Sequence, residues 1–292
     1  PLSPQARAAL GIDAQRLAPA ELLSAILKAP VDLLYNGGIG TYIKARSEAH
    51  ADVGDRANDA LRINGGELRC KVVAEGGNLG ATQLGRIEAA RAGVRIDNSA
   101  GVDTSDHEVN IKILLGLAIG DGEMTEKQRN ALLPQMTDEV AAQVLADNYY
   151  QTQALSVARR QGVVLLDQQA RFMRHLEKTG QLDRAIEFLP SDEEIATRKA
   201  QGEGLSSPEL AVLLAYSKMW LSDELVASDL PEDPWVATAL ARYFPPLLRE
   251  KFAELIPRHP LKREIIATHV LNRMVNRVGP TFVHRLTEMT GA

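Results

Sequence analysis

Three short stretches hold residue types that could do chemistry, and each follows an apolar run: "YNGG" at 35–38, "EGGN" at 75–78 and "DNSAGVDTSDHE" at 97–108. Glycine lets backbone approach a ligand closely, and an asparagine amide both donates and accepts hydrogen bonds. Turn chemistry alone also puts Gly and Asn after a strand, so no single stretch decides between a turn and a binding edge. In the third stretch Ser105 and Glu108 spell S-x-x-E, a capping box that would open a helix at Ser105. A helix N-terminus attracts anions, so Ser105 could also present its hydroxyl and nearby amides to a substrate carboxylate. Asp97, Asp103, Asp106, His107 and Glu108 admit a third reading, a divalent ion held by carboxylates and an imidazole. No ligand pair there repeats at a recognised spacing, and acids gather in first turns to meet the helix dipole. No metal is therefore assigned.

Other candidates carry less. His50, His175, His259, His269 and His284 have no partner pattern, and Ser99 lacks the G-x-S-x-G elbow of an α/β-hydrolase. Tyr149, Tyr150, Trp220, Trp235, Tyr243 and Phe244 fall within helical periodicity and read as core or helix-interface residues.

The elements that must position these groups change character along the chain. Over the first 120 residues, strand-like and helix-like stretches alternate. "PAELLSAILKA" (19–29) has helical spacing, and the apolar runs near 31–36, 70–74 and 94–99 read as strands. Thr82 N-caps a helix that Gly93 ends. Short apolar strands separated by helices imply βαβ units and a parallel sheet. After "GDGEM" (120–124) strand signals disappear and helix starts recur, at Thr137, at Ser191 with Glu194, at Ser207 with Pro208 and at Asp233 with Pro234. Stops stand at Gly162 and Gly180. The expected fold is α/β, a partial Rossmann-like parallel sheet with flanking helices over 1–120, followed by an all-α domain of six or seven helices over 121–292.

Composition bounds the function. The 292 residues are 45% hydrophobic and 24% charged, with a net charge of −5, so no basic footprint for nucleic acid exists. One cysteine, Cys70, cannot form an internal disulfide, and no apolar run approaches the ~18 residues of a membrane span. A cytoplasmic location is expected, with neither nucleic acid nor membrane as partner.

Taken together, "VVAEGGNLGAT" (72–82) and "RIDNSAGVDTSDHEVN" (95–110) resemble glutamate dehydrogenase, which carries A-E-G-A-N-x-x-x-T after one strand and N-a-G-G-V-x-x-S-x-x-E after the next. Ala74, Glu75, Gly76, Asn78 and Thr82 match the first pattern, with Gly77 where the family has alanine. Asn98, Gly101, Val102, Ser105 and Glu108 match the second, with Ala100 replacing a glycine. "DLLYNGGIGTYIKA" and "DVGDRANDALR" resemble specifically the large NAD-dependent bacterial enzymes, over about residues 20–118.

The resemblance implies NAD as cofactor, L-glutamate and 2-oxoglutarate as substrates, and a homo-oligomeric full-length protein. It implies cofactor contacts from Gly37, Gly38, Gly76, Asn78 and Asn98, and a contact from Ser105 to the substrate's side-chain carboxylate. Asn36 stands where smaller family members have proline. The family's catalytic lysine and aspartate and its G-x-G-x-x-G/A turn match no stretch here and are expected upstream of Pro1. The chain therefore reads as a fragment, inactive alone, with no catalytic residue of its own. Two other readings stand beside this one, a non-catalytic scaffold or oligomerisation module and a metal-dependent hydrolase built on Asp97, Asp103 and His107.

Overall fold

The structure is a computed structural model that describes residues 1–77 and 79–291. The chain forms two compact units. The first holds Pro1–Asn98 with Asp183–Glu194 and Leu205–Glu209, and the second holds the remainder.

In the first unit, α1 (Pro4–Leu10) is capped by Ser3, and α2 (Pro19–Leu27) starts with proline at its first position. Then follow β1 (Leu33–Asn36), β2 (Ile43–Lys44), α3 (His50–Val53), β3 (Ile63–Asn64), β4 (Val72–Glu75), α4 (Gln83–Arg91) and β5 (Arg95–Asp97). β1, β4 and β5 form a wholly parallel sheet in that order, with Tyr35 opposite Ala74 and Ala74 opposite Asp97. The expected strands and the parallel sheet are thus present, at the size of three short strands. β2 and β3 form a separate parallel pair. Ile43, Ile63, Cys70, Val73, Ala81, Ala89 and Val94 fill the core beneath. Thr82 caps α4 by accepting from the Gly85 amide at 3.0 Å, and Gly93 follows it at φ +89°. Leu33 and Tyr35 alternate onto a face that stays open to solvent, 55% and 69% exposed.

The second unit contains no strand among the described residues. Its helices are α5 (Ser99–Gly120), α6 (Glu126–Leu132), α7 (Thr137–Gln161), α8 (Val163–Lys178), α9 (Asp192–Gln201), α10 (Ser207–Ala227), α11 (Thr238–Tyr243), α12 (Pro246–Lys251), α13 (Lys262–Val278) and α14 (Phe282–Thr290), α9 and α10 beginning in residues of the first unit. Among the described residues nine of them follow residue 120, against about six or seven expected, because the stretch from 230 to 260 breaks into short pieces around Pro231, Pro234, Pro245 and Pro257. Ser191 and Glu194 form the expected capping box. At α10, where Ser207 with Pro208 is expected to start the helix, the Ser206 amide and hydroxyl each donate to Glu209 at 2.7 Å, one residue earlier. Asp233 accepts from the amides of Trp235 and Val236, closing a turn ahead of α11 rather than opening a helix. Leu114, Leu115, Met136, Phe244, Leu248 and Ile265 lie at the heart of the larger core.

One expectation fails in an informative way. The helix expected to open at Ser105 opens six residues earlier, at Ser99. Ser105 therefore sits in the second turn, where its hydroxyl donates to the carbonyl of Gly101 at 3.1 Å and caps nothing. Glu108 pairs instead with Lys112, one turn ahead. The Ser99 hydroxyl bonds to Asn148 of α7, a contact from outside the local sequence that holds the earlier start.

Candidate functional site

The first candidate is the carboxyl edge of the sheet. Parallel pairing brings the ends of β1, β4 and β5 level, and the Gly76 amide donates to the Asn36 carbonyl at 2.9 Å. Gly37, Gly38, Gly76 and Asn98, just beyond those ends, are all exposed. The expected contact Asn78 lies outside the described residues. Ligands of open parallel sheets bind outside this edge.

The glycines differ in what confines them. A Cβ on Gly77 would stand 2.5 Å from the Gly38 carbonyl oxygen, so this chain's glycine, where the family has alanine, accompanies close contact of the two loops. A Cβ on Gly37 or Gly76 would meet the Tyr35 side chain first, at 2.9 and 2.8 Å, and that exposed side chain can swing away, leaving for Gly76 an ordinary contact with the Gly37 Cα at 3.7 Å. At Gly38 the nearest atom is the Tyr42 hydroxyl at 3.8 Å. Close packing around Gly38 therefore gives no reason for it to lack a side chain, and its bare backbone is open to close approach.

Beneath this edge the Glu75 carboxylate is buried and accepts from Arg86 at 2.6 Å. Ser105 is exposed on α5 with Val102 and Val109, its proton engaged by Gly101. The free amides of a helix belong to its first turn, so Ser105 offers a hydroxyl and not the anion-binding helix end expected from S-x-x-E.

The second candidate lies within the helical unit and is only half legible in the sequence. Asp103 and His107, one turn apart on α5, meet Asp147 of α7, with a ligand atom of each within 4.8 Å of the others. His107 stacks on Tyr243 at 4.5 Å between ring centroids. The Tyr243 hydroxyl donates to Asp106 at 2.7 Å and accepts from Asn110 at 3.0 Å. Lys218 of α10 approaches from another side and donates to Gln151 at 2.8 Å. Two cavities of about 300 and 380 Å³ adjoin here and share Asp147, Asn272 and Asn276.

Burial dominates the electrostatics. Burial, with repulsion from Asp147 and Asp106, pushes the Asp103 carboxyl up to about 6 against the pull of Lys218. Burial brings the Lys218 ammonium down to about 8, although Asp147 and Asp103 oppose the change. The Asp147 carboxyl is also raised by burial and the His107 imidazole lowered by it. Such groups in a cavity are a signature of functional sites.

Of the five residues weighed as metal ligands, the structure joins Asp103 and His107. Asp106 is engaged by Tyr243, Glu108 by Lys112, and Asp97 belongs to the other unit. Asp147 and Lys218 are not singled out by the sequence, and Tyr243, expected as a core or helix-interface residue, is buried as expected but also stacks on His107. A signal existed for Lys218, a cation set among Leu213, Leu214, Ser217 and Leu221 on the buried face of α10.

Comparison with known proteins identifies the setting of both candidates. The family profile for the catalytic domain of bacterial NAD-glutamate dehydrogenase matches residues 1–158, and the profile for the C-terminal region of glutamate dehydrogenase matches residues 202–292. The chain is 56% identical over 295 residues to the NAD-specific glutamate dehydrogenase of Pseudomonas aeruginosa, covering 99% of this chain and 18% of that protein. It is 52% identical to the enzyme of the same name from Halomonas elongata, covering 100% of this chain and 18% of the relative. It is 50% identical to that of Mycobacterium tuberculosis, covering 100% of this chain and 19% of the relative. The chain thus spans about a fifth of the length of these relatives. With the catalytic-domain profile matching more than half its length, the chain belongs to the bacterial NAD-glutamate dehydrogenase family.

Proposed function

We propose that this chain is part of a protein that reversibly deaminates L-glutamate to 2-oxoglutarate and ammonia, with hydride passed to NAD. In this reading residues 1–120 form the second half of a Rossmann-like NAD-binding domain and residues 121–292 a helical C-terminal domain. The observation that carries it is the level, glycine-lined carboxyl edge of the β1-β4-β5 sheet, with Gly38 left bare for no packing reason. The open face at Leu33 and Tyr35 fits a parallel sheet whose second face is covered by other parts of a larger domain.

When bound, NAD supplies the hydride acceptor. The chain's own residues bind and orient. Gly37, Gly38 and Gly76 would lie flat against the nicotinamide end. Asn98, exposed past β5, would exchange hydrogen bonds with its carboxamide or ribose hydroxyls. Ser105 would turn its hydroxyl from the Gly101 carbonyl to the substrate's side-chain carboxylate, a charge-assisted and therefore stronger bond.

Steady-state kinetics of the full-length protein tests this reading. Ser105→Ala is expected to raise KM for glutamate about tenfold, the loss of roughly 1.4 kcal/mol in a bond to a charged group, while KM for NAD stays near its original value. An equal effect on both substrates rejects the substrate role, as does none on either.

A further inference from the structure

We propose that Asp103, His107 and Asp147 form a binding site for a first-row divalent cation, bracing α5 against α7 inside the helical unit. The proposal does not depend on the assignment of the sheet edge to NAD.

Its donors are free. Neither Asp103 nor Asp147 makes a hydrogen bond or ion pair among the described residues, and one Asp103 oxygen is fully buried without a partner. His107 is only 4% exposed and lies within 4.8 Å of both carboxylates. Its Nδ1 is buried with no hydrogen bond, and its ring is fixed from one side by Tyr243. A buried imidazole with unused nitrogen capacity is costly unless something meets it. Asn276, 5% exposed, lines both adjoining cavities with its side-chain oxygen also unpaired, a further neutral donor within the same cavities.

Three carboxylates, Asp103, Asp106 and Asp147, converge here, and although Arg242, Arg273 and Arg277 line the first cavity, the lysine and arginine whose charge reaches Asp103 or Asp147 are Lys218 and Arg273. Neither cation lies within ion-pair distance of those acids, and Lys218 spends its hydrogen bond on Gln151. An imidazole between two carboxylates suits Mn²⁺, Co²⁺ or Zn²⁺ better than Mg²⁺ or Ca²⁺, which prefer oxygen alone. Neighbouring ligands on such an ion, with bonds of about 2.1 Å, stand roughly 3.4 Å apart. The three ligand atoms, within 4.8 Å of one another, must draw together by side-chain rotation of the aspartates for an ion to be held. The cavity leaves room for water in the remaining coordination positions.

The test is metal uptake by the full-length protein after chelation, by equilibrium dialysis with Mn²⁺, Co²⁺ or Zn²⁺ at micromolar concentration and by the visible spectrum of the Co²⁺ form. The wild type is expected to hold one equivalent more than Asp147→Asn, with circular dichroism unchanged. His107→Gln is expected to shift the Co²⁺ bands as a nitrogen donor is lost. Lys218→Met should bind on the order of tenfold more tightly, because a like charge has been removed nearby. The proposal is overturned if the wild type takes up no metal. It is also overturned if wild type, Asp147→Asn and His107→Gln share the same stoichiometry and spectrum, which would mean an ion held elsewhere. Should Asp147→Asn fail to fold, Asp103→Asn carries the same expectation.

Discussion

Gly38 separates packing from ligand binding more sharply than any other residue of the edge. An added methyl there would meet nothing nearer than 3.8 Å, so Gly38→Ala is expected to leave thermal stability within about 0.5 kcal/mol of the parent. If its backbone lies against nicotinamide, the same methyl must weaken NAD, and a rise in Kd of about tenfold is expected in fluorescence titration, the cost of roughly 1–2 kcal/mol of overpacking. Unchanged NAD affinity would remove Gly38 from the cofactor site. Sequence alone singled out the glycines at 37, 38 and 76. It could not rank them, because the neighbours that confine Gly37 and Gly76 but not Gly38 are set by where the Tyr35 ring lies.

Elements read from local signals survive in the structure where those signals are complete. α4 has its Thr82 cap and its Gly93 stop, both within the helix's own neighbourhood, and it forms as expected. α5 fails that test, because S-x-x-E at 105–108 is a valid local start that contacts to α7 override. The segment 55–62 shows how a connection without long helices or strands is held. The Arg62 side chain, fully buried, donates to the Thr41 carbonyl at 2.7 Å and to Asp59 at 2.6 Å, and also reaches the Asp55 carbonyl. Lysine cannot reproduce that fork. Arg62→Lys is expected to destabilise the chain by about 3 kcal/mol, as breaking a buried charged network does, measured as a fall in the urea midpoint. A shift below about 0.5 kcal/mol, the range of an exposed substitution, would show that water replaces the network.

Across the whole molecule, buried polar groups join residues far apart in sequence. Tyr243 of α11 reaches Asp106 and Asn110 of α5 with one hydroxyl, and the His259 ring shares a hydrogen bond with the Asn110 carbonyl. Tyr243→Phe keeps the ring stacked on His107 but removes both hydrogen bonds of the hydroxyl, one of them to a carboxylate, while Asn110 keeps its bonds to Asp106, so a loss of about 1–3 kcal/mol is expected in chemical denaturation. No measurable loss would mean that water replaces the hydroxyl. No helix among the described residues is long and apolar enough to cross a membrane, in keeping with the absence of a long apolar run in the sequence. The sequence by itself determined the three strands of the β1-β4-β5 sheet, though not the β2–β3 pair, the helical character beyond residue 120 and the family, because turn residues, periodicity and motif wording all lie within a few positions of one another. Only the tertiary structure decided that Asp103 and His107 meet Asp147, and that Lys218 and Tyr243 close around them. Those residues lie on four helices, and their convergence follows from how the helices pack.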